Sequence, residues 1–198
     1  MEPARREESQ RMSERTVQLR FPSLAAPPMR LGALLALGLA IFVVGWLIFG
    51  GDDNSSRPAT GTSSASEQEL REFAETASHP VYWAGPRSGQ IYELTKTSDG
   101  RVYVRYLPEG VEVGDPRPQF LTVGTYPRAN AFGELKRAAR AEGAVSRELP
   151  QGGLAVLTRG SSSVYFGYPD ARYQVEVFAP TAGSARNLVL AGQVVPVR

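Results

Sequence analysis

The chain contains no cysteine. That excludes disulfides, thiolate metal sites, iron–sulfur centres and thiol nucleophiles. Histidine occurs once, at His79. One imidazole allows at most one histidine-based triad; His79 stands against Pro80, no G-x-S-x-G elbow occurs, and no carboxylate can be paired with it from sequence. Lysine is nearly missing, with only Lys96 and Lys136, and neither lies in an S-x-x-K motif. The glycines form neither a P-loop nor G-x-G-x-x-G, and no D-x-[DN]-x-[DN]-G loop is present. A charge excess is absent as well: 22 basic residues meet 20 acidic ones, for a net charge of +2. Such a balance carries no nucleic-acid footprint. No cofactor and no metal is expected.

One long apolar run is present. Residues 31–50, LGALLALGLAIFVVGWLIFG, contain no charged residue. Twenty residues at about 1.5 Å each cover about 30 Å, the hydrocarbon thickness of a bilayer. Trp46 lies near its far end, where an indole suits the interface. Arg5, Arg6, Arg11, Arg15, Arg20 and Arg30 precede the run, whereas Asp52 and Asp53 follow it. The positive-inside rule therefore predicts a cytoplasmic N-terminus and a C-terminal domain outside the plasma membrane. The run is too long for a signal-peptide core, and no small-x-small site follows it, so an uncleaved, single-pass signal anchor is expected.

The flanks complete four segments. Residues 1–30, with four glutamates among six arginines and no apolar face, read as a disordered cytoplasmic tail. Residues 31–50 form the transmembrane helix. Residues 51–66, GDDNSSRPATGTSSAS, read as a flexible polar linker. Residues 67–198 form the extracytoplasmic domain.

Within that domain, Ser66 followed by Glu69 is a capping-box pattern, and Leu70, Phe73, Ala74 and Ala77 continue at helical spacing. Residues 91–97 and 101–107 flank Ser98-Asp99-Gly100 as a hairpin. Val102, Val104 and Tyr106 share one face of its second strand, and Arg101, Tyr103 and Arg105 the other. A strand at 120–126 precedes a helix whose inward stripe is Phe132, Leu135 and Ala139; Lys136, Arg137 and Arg140 are its wet side, and Gly143 ends it. Strand-like runs follow at 154–158, 164–168 and 173–178, then a short helix within 181–191 and a last strand at 194–197. The expected class is α+β, a mainly antiparallel sheet with helices on one face, preceded by the single transmembrane helix.

Aromatic and arginine residues are the best candidates for ligand contact. Tyr82 and Trp83 stand in HPVYWAGP, Tyr103 and Arg105 in YVRY, and Tyr126 and Arg128 bracket Pro127. Rings stack on sugars or grip peptides, and guanidinium forks bind carboxylates; the same rings can equally fill a core. Glu93 and Glu176 are the carboxylates that a glycan hydrolase would use. Glu109, Glu112 and Asp115 cluster in a proline-bounded loop, a solvated arrangement. Gly32, Ala36 and Ala40 form a small-residue stripe on which another transmembrane helix could pack.

HPVYWAGP, YVRYLPEGV, LTVGTYP, GGLAV and YQVEVFAP together resemble an uncharacterised family of membrane-tethered proteins from high-GC Gram-positive bacteria, over residues 67–198. Arginine-over-lysine bias fits such a genome. Residues 120–198 also resemble SPOR domains in strand–helix order, through FLTVGTY with its following helix and YQVEVF with its own. That resemblance implies binding of peptidoglycan glycan strands. GGLAVLT and a further strand intervene here, and Ala179-Pro180 stand where the pattern expects a glycine turn. The expectation is a non-enzymatic, membrane-anchored binding module of the cell envelope, its partner an envelope protein or peptidoglycan. The alternatives are a carboxylate-based glycan hydrolase and a subunit assembled through the transmembrane helix.

Overall fold

A computed structural model of the chain describes residues 59–181 and 183–198. The expected tail, the transmembrane span with Gly32, Ala36 and Ala40, and the first half of the linker lie outside the described residues. Among the described residues, no helix is long and apolar enough to cross a membrane.

The elements, in order, are β1 (Ala59–Ala65), α1 (Glu67–Thr76), β2 (Tyr82–Trp83), β3 (Gln90–Thr97), β4 (Val102–Pro108), β5 (Thr122–Pro127), α2 (Ala131–Ala138), β6 (Ala144–Leu149), β7 (Gly153–Thr158), β8 (Ser163–Gly167), β9 (Tyr173–Phe178), α3 (Ser184–Leu190) and β10 (Val195–Pro196). Eight strands form one antiparallel sheet in the order β1-β3-β4-β5-β9-β8-β7-β6, and β10 pairs with β2 in a separate ribbon. The fold is α+β with a mainly antiparallel sheet.

Strand register separates the two faces. Val104 pairs with Val123, Val123 with Val177, and Val177 with Val164. This row faces the main core, together with Phe166, Val175, Leu70 of α1, and Ala185 and Val189 of α3. One residue along each strand, Val156 and Tyr165 point the other way and pack on Leu135 of α2. The helices therefore lie on both faces, not on one as the sequence pattern suggested. The physical reason is local. β8 and β9 are buried almost without alternation, the mark of strands covered on both sides. Gly167 leaves room for this second layer, since a Cβ there would meet Leu135 Cδ1 at 3.0 Å.

Two edge strands escaped the hydrophobic pattern. Residues 59–65, expected in the flexible linker, form β1 and pair with β3. Their Ser, Thr and Gly show no apolar alternation, yet an edge strand needs mainly backbone pairing and a β-tolerant side chain. Thr62 and Thr95 meet through their hydroxyls at 3.1 Å, and Ala65 is buried. At the other edge, β6 carries exposed Arg147 and Glu148, charges that discourage pairing with a further strand.

The capping box forms as expected. Glu69 N donates to Ser66 Oγ at 3.2 Å, and Ser66 N donates to the Glu69 carboxylate at 2.7 Å. These bonds with Ser66 hold the Glu69 carboxyl below its ordinary value. Replacing Ser66 with alanine is expected to destabilise the domain by about 1 kcal/mol. A fall in melting temperature of about 2–4 °C, read by scanning fluorimetry, is the check.

Candidate functional site

The six candidate ligand-binding residues do not converge on one concavity. Tyr82 and Trp83, in β2, are 5% and 4% exposed and belong to the main core. Tyr82 N donates to Thr125 Oγ1 at 3.1 Å, its hydroxyl meets that of Tyr173 at 3.3 Å, and its ring stands edge-on to Phe166. Trp83 packs edge-on to Tyr92. Tyr103, Arg105 and Tyr126 belong to the opposite face of the sheet, by the register of β4 and β5. There Tyr103 and Tyr126 stand with ring centroids 5.6 Å apart. Arg128 holds the first turn of α2 through Glu134 at 2.7 Å. His79 is structural too: its ring nitrogens lie 3.0 Å from the Pro80 carbonyl and 2.8 Å from that of Gly100.

The two carboxylates considered for hydrolysis sit in separate buried networks. Glu176 of β9 is 4% exposed. It accepts hydrogen bonds from the hydroxyls of Tyr126 at 2.5 Å, Ser163 at 2.7 Å and Tyr165 at 2.9 Å. Burial raises its pKa above the ordinary carboxylate range, against the pull of those three hydroxyls. Burial first, and then the charge of Glu176, push the Tyr126 phenol well up. Gly124, opposite Glu176, makes the geometry possible. A Cβ there would lie 2.6 Å from the Tyr126 hydroxyl, so only glycine lets that ring lie back across β5.

Glu93 of β3 is 2% exposed. Arg105 Nη1 donates to Glu93 Oε1 at 2.7 Å, and Gly114 N donates to Oε2 at 2.5 Å. The other arm of Arg105 donates to the carbonyls of Asp115 at 2.8 Å and Arg117 at 3.3 Å. Its guanidinium also lies 5.2 Å from the ring centre of Phe120. Arg105 is thus the pin that fastens the 109–119 loop to the sheet. In that loop the Arg117 guanidinium holds the Asp115 carboxyl down at about 2. Chemically, both carboxylates are already saturated with donors, and neither lines a cavity named below.

A wide concavity lies elsewhere. A groove of 990 Å³ runs between the 149–151 and 168–171 turns, the end of α3 and β10. Tyr82 and Trp83 supply part of its floor, beside Tyr168 and Tyr173. The exposed large apolar side chains of the described residues, Leu190 at 45% and Val195 at 41%, are both on its lining. So are both non-glycine residues with left-handed backbone, Gln151 (φ 58°) and Asp170 (φ 61°). A left-handed side-chain-bearing residue costs about 1–3 kcal/mol, and such strain collects where a surface is put to use. A smaller depression of 520 Å³ lies around Arg87, Tyr106, Phe120 and Leu188.

The groove residues Leu190 and Val195 were absent from the sequence candidates, although a signal exists. Leu188-Val189-Leu190 places three consecutive large apolar side chains on a short helix, and a helix cannot turn all three inward. No family model, no curated protein and no solved structure matches this chain.

Proposed function

We propose that the protein is a single-pass, membrane-anchored interaction module of the cell envelope, with its α+β domain outside the cytoplasm and no catalytic step of its own. The observation that carries this reading is the groove: it collects both exposed large apolar side chains and both strained non-glycine residues of the described chain. A soluble domain without a partner has little reason to keep these features together. The anchor rests on the uncharged run at 31–50 and the arginines before it. A hydrolytic reading is disfavoured because Glu93 and Glu176 already serve Arg105 and three hydroxyls.

The absence of cysteine makes the topology directly testable. Single cysteines are introduced as Ser13→Cys and Arg159→Cys, and intact cells are treated with a membrane-impermeant maleimide. The expected result is labelling of the Arg159→Cys chain alone, with the labelled chain retained in membranes after an alkaline wash. Labelling of Ser13→Cys, or release of the chain by the wash, would overturn the anchored reading. Lysis of purified cell walls by the full chain would replace the non-enzymatic reading with the hydrolase.

A further inference from the structure

We infer that the occupant of the groove is the lipid surface of the membrane that anchors the chain, with Leu190 and Val195 entering its interfacial layer. The inference rests on the anchored reading above and adds the partner and the orientation.

The register of the sheet locates the groove relative to the start of β1. Ala59, where β1 begins, pairs with Thr97 at the head of the 98–101 turn. Across the sheet, Pro127 pairs with Tyr173, Leu154 with Gly167, and Leu149 with Gly153. All of these stand at one end of the strands. The 149–151 and 168–171 turns that wall the groove therefore project from the end at which the chain arrives from the apolar run. At the opposite end Ala65 pairs with Tyr92, Gln90 with Pro108, and Thr122 with Phe178.

Chain length then restricts the distance. Eight residues, 51–58, separate the apolar run from β1. Fully extended, they span at most about 29 Å, and any less extended path brings the groove end closer. The opposite end of the sheet lies about 20 Å further out, by the rise of a seven-residue strand.

The chemistry of the two ends differs in the same sense. The near end bears Leu190 and Val195, with the rings of Tyr168 and Tyr173 beside them, apolar bodies with polar tips of the kind that settle at a membrane interface. Its Asp99 and Glu134 are paired with Arg101 and Arg128. Lys96, Arg147 and Arg172 remain exposed there against Glu148 and Asp170, so anionic headgroups do not repel it. The far end carries exposed charges of both signs, Glu109 and Glu112 with Arg87 and Arg159, and no exposed large apolar side chain among the described residues.

The test uses the full chain in vesicles of phosphatidylcholine with phosphatidylglycerol. An environment-sensitive fluorophore is placed on single cysteines by Leu190→Cys, Val195→Cys and, at the far end, Glu112→Cys. Nitroxide-labelled lipid is expected to quench the first two probes about twofold or more and to leave the third unchanged. Equal quenching at all three sites, or none at 190 and 195 in a chain that withstands alkaline extraction, would overturn the lipid seating while leaving the anchor intact. Loss of the chain on extraction would defeat the anchored reading itself. A shift of the 190 and 195 probes on adding purified peptidoglycan to detergent-dispersed chain, without a shift from lipid, would assign the groove to wall glycan instead.

Discussion

Replacing Glu176 with leucine is expected to destabilise the domain by about 3–5 kcal/mol, since each buried hydroxyl left without its acceptor costs about 1–3 kcal/mol. The leucine would strand the hydroxyls of Tyr126, Ser163 and Tyr165 between two covered faces of the sheet, each of which now donates to the carboxylate. At about 2–4 °C per kcal/mol, the melting temperature of the full chain in detergent should fall by about 10 °C. Glu176→Gln should lose less, because it keeps one acceptor oxygen of the same shape. It should also change the pH dependence, and the sign follows from burial. Since the folded carboxyl holds its proton more tightly than the ordinary value of 4.5, wild-type stability is fullest below that value. It then declines as pH rises through the raised folded value. The glutamine variant has no such decline. Urea unfolding from pH 4 upward should therefore show the advantage of wild type over Glu176→Gln shrinking with pH; an advantage that grows would contradict the burial argument.

The second large effect is expected at Arg105. Alanine there leaves Glu93 buried with only the Gly114 N–H as a partner, and strips the Asp115 and Arg117 carbonyls of their donor. Removing one partner of a buried pair costs about 3–5 kcal/mol. Lysine should rescue little, because a point charge cannot fork between a carboxylate and two carbonyls. The double variant Glu93→Gln with Arg105→Ala should be milder than the sum of the two single changes, since the orphaned charge is gone. The loop supplies an independent readout. With its pin removed, cleavage after Glu109 or Glu112 by a glutamyl endopeptidase should quicken well before the melting temperature is reached.

Much of the architecture is legible from period alone. Val102, Val104 and Tyr106 do share the core face, and the β3–β4 hairpin and α1 lie where turn and cap chemistry puts them, whereas α2 ends at Ala138, short of Gly143, and its N-cap Asn130 makes no side-chain capping bond. What stays hidden has a common cause. Period tells which residues of one strand share a face, but not what covers that face. Nothing in YQVEVF says that Glu176 is enclosed almost as fully as its valine neighbours, because its enclosure comes from Tyr165 on the next strand and from Tyr126, 50 residues away in the chain. Tyr82 and Trp83 are likewise ambiguous in isolation; their partners Phe166, Tyr173 and Val195 arrive from the last third of the sequence. Arg105 looks like a free guanidinium until the 109–119 loop folds over it. β1 and β6 escape notice because edges are specified by backbone pairing and by charge, which leave little mark on hydropathy.

The strand order has a kinetic meaning. β3-β4-β5 and β6-β7-β8-β9 are each runs of sequence neighbours, whereas the seam β5–β9 joins residues such as Thr122 and Phe178. Each run can zip locally on a microsecond timescale, but the seam closes only after the intervening chain, with α2 and three strands, has been brought together. The search for that seam is expected to set the folding rate. The Tyr126–Glu176 contact spans it, so changes at this pair are expected to slow folding, and changes within either meander to hasten unfolding. In a chain made from its N-terminus onward, the first meander must therefore wait, its β5 edge unpaired, until the last strand is complete.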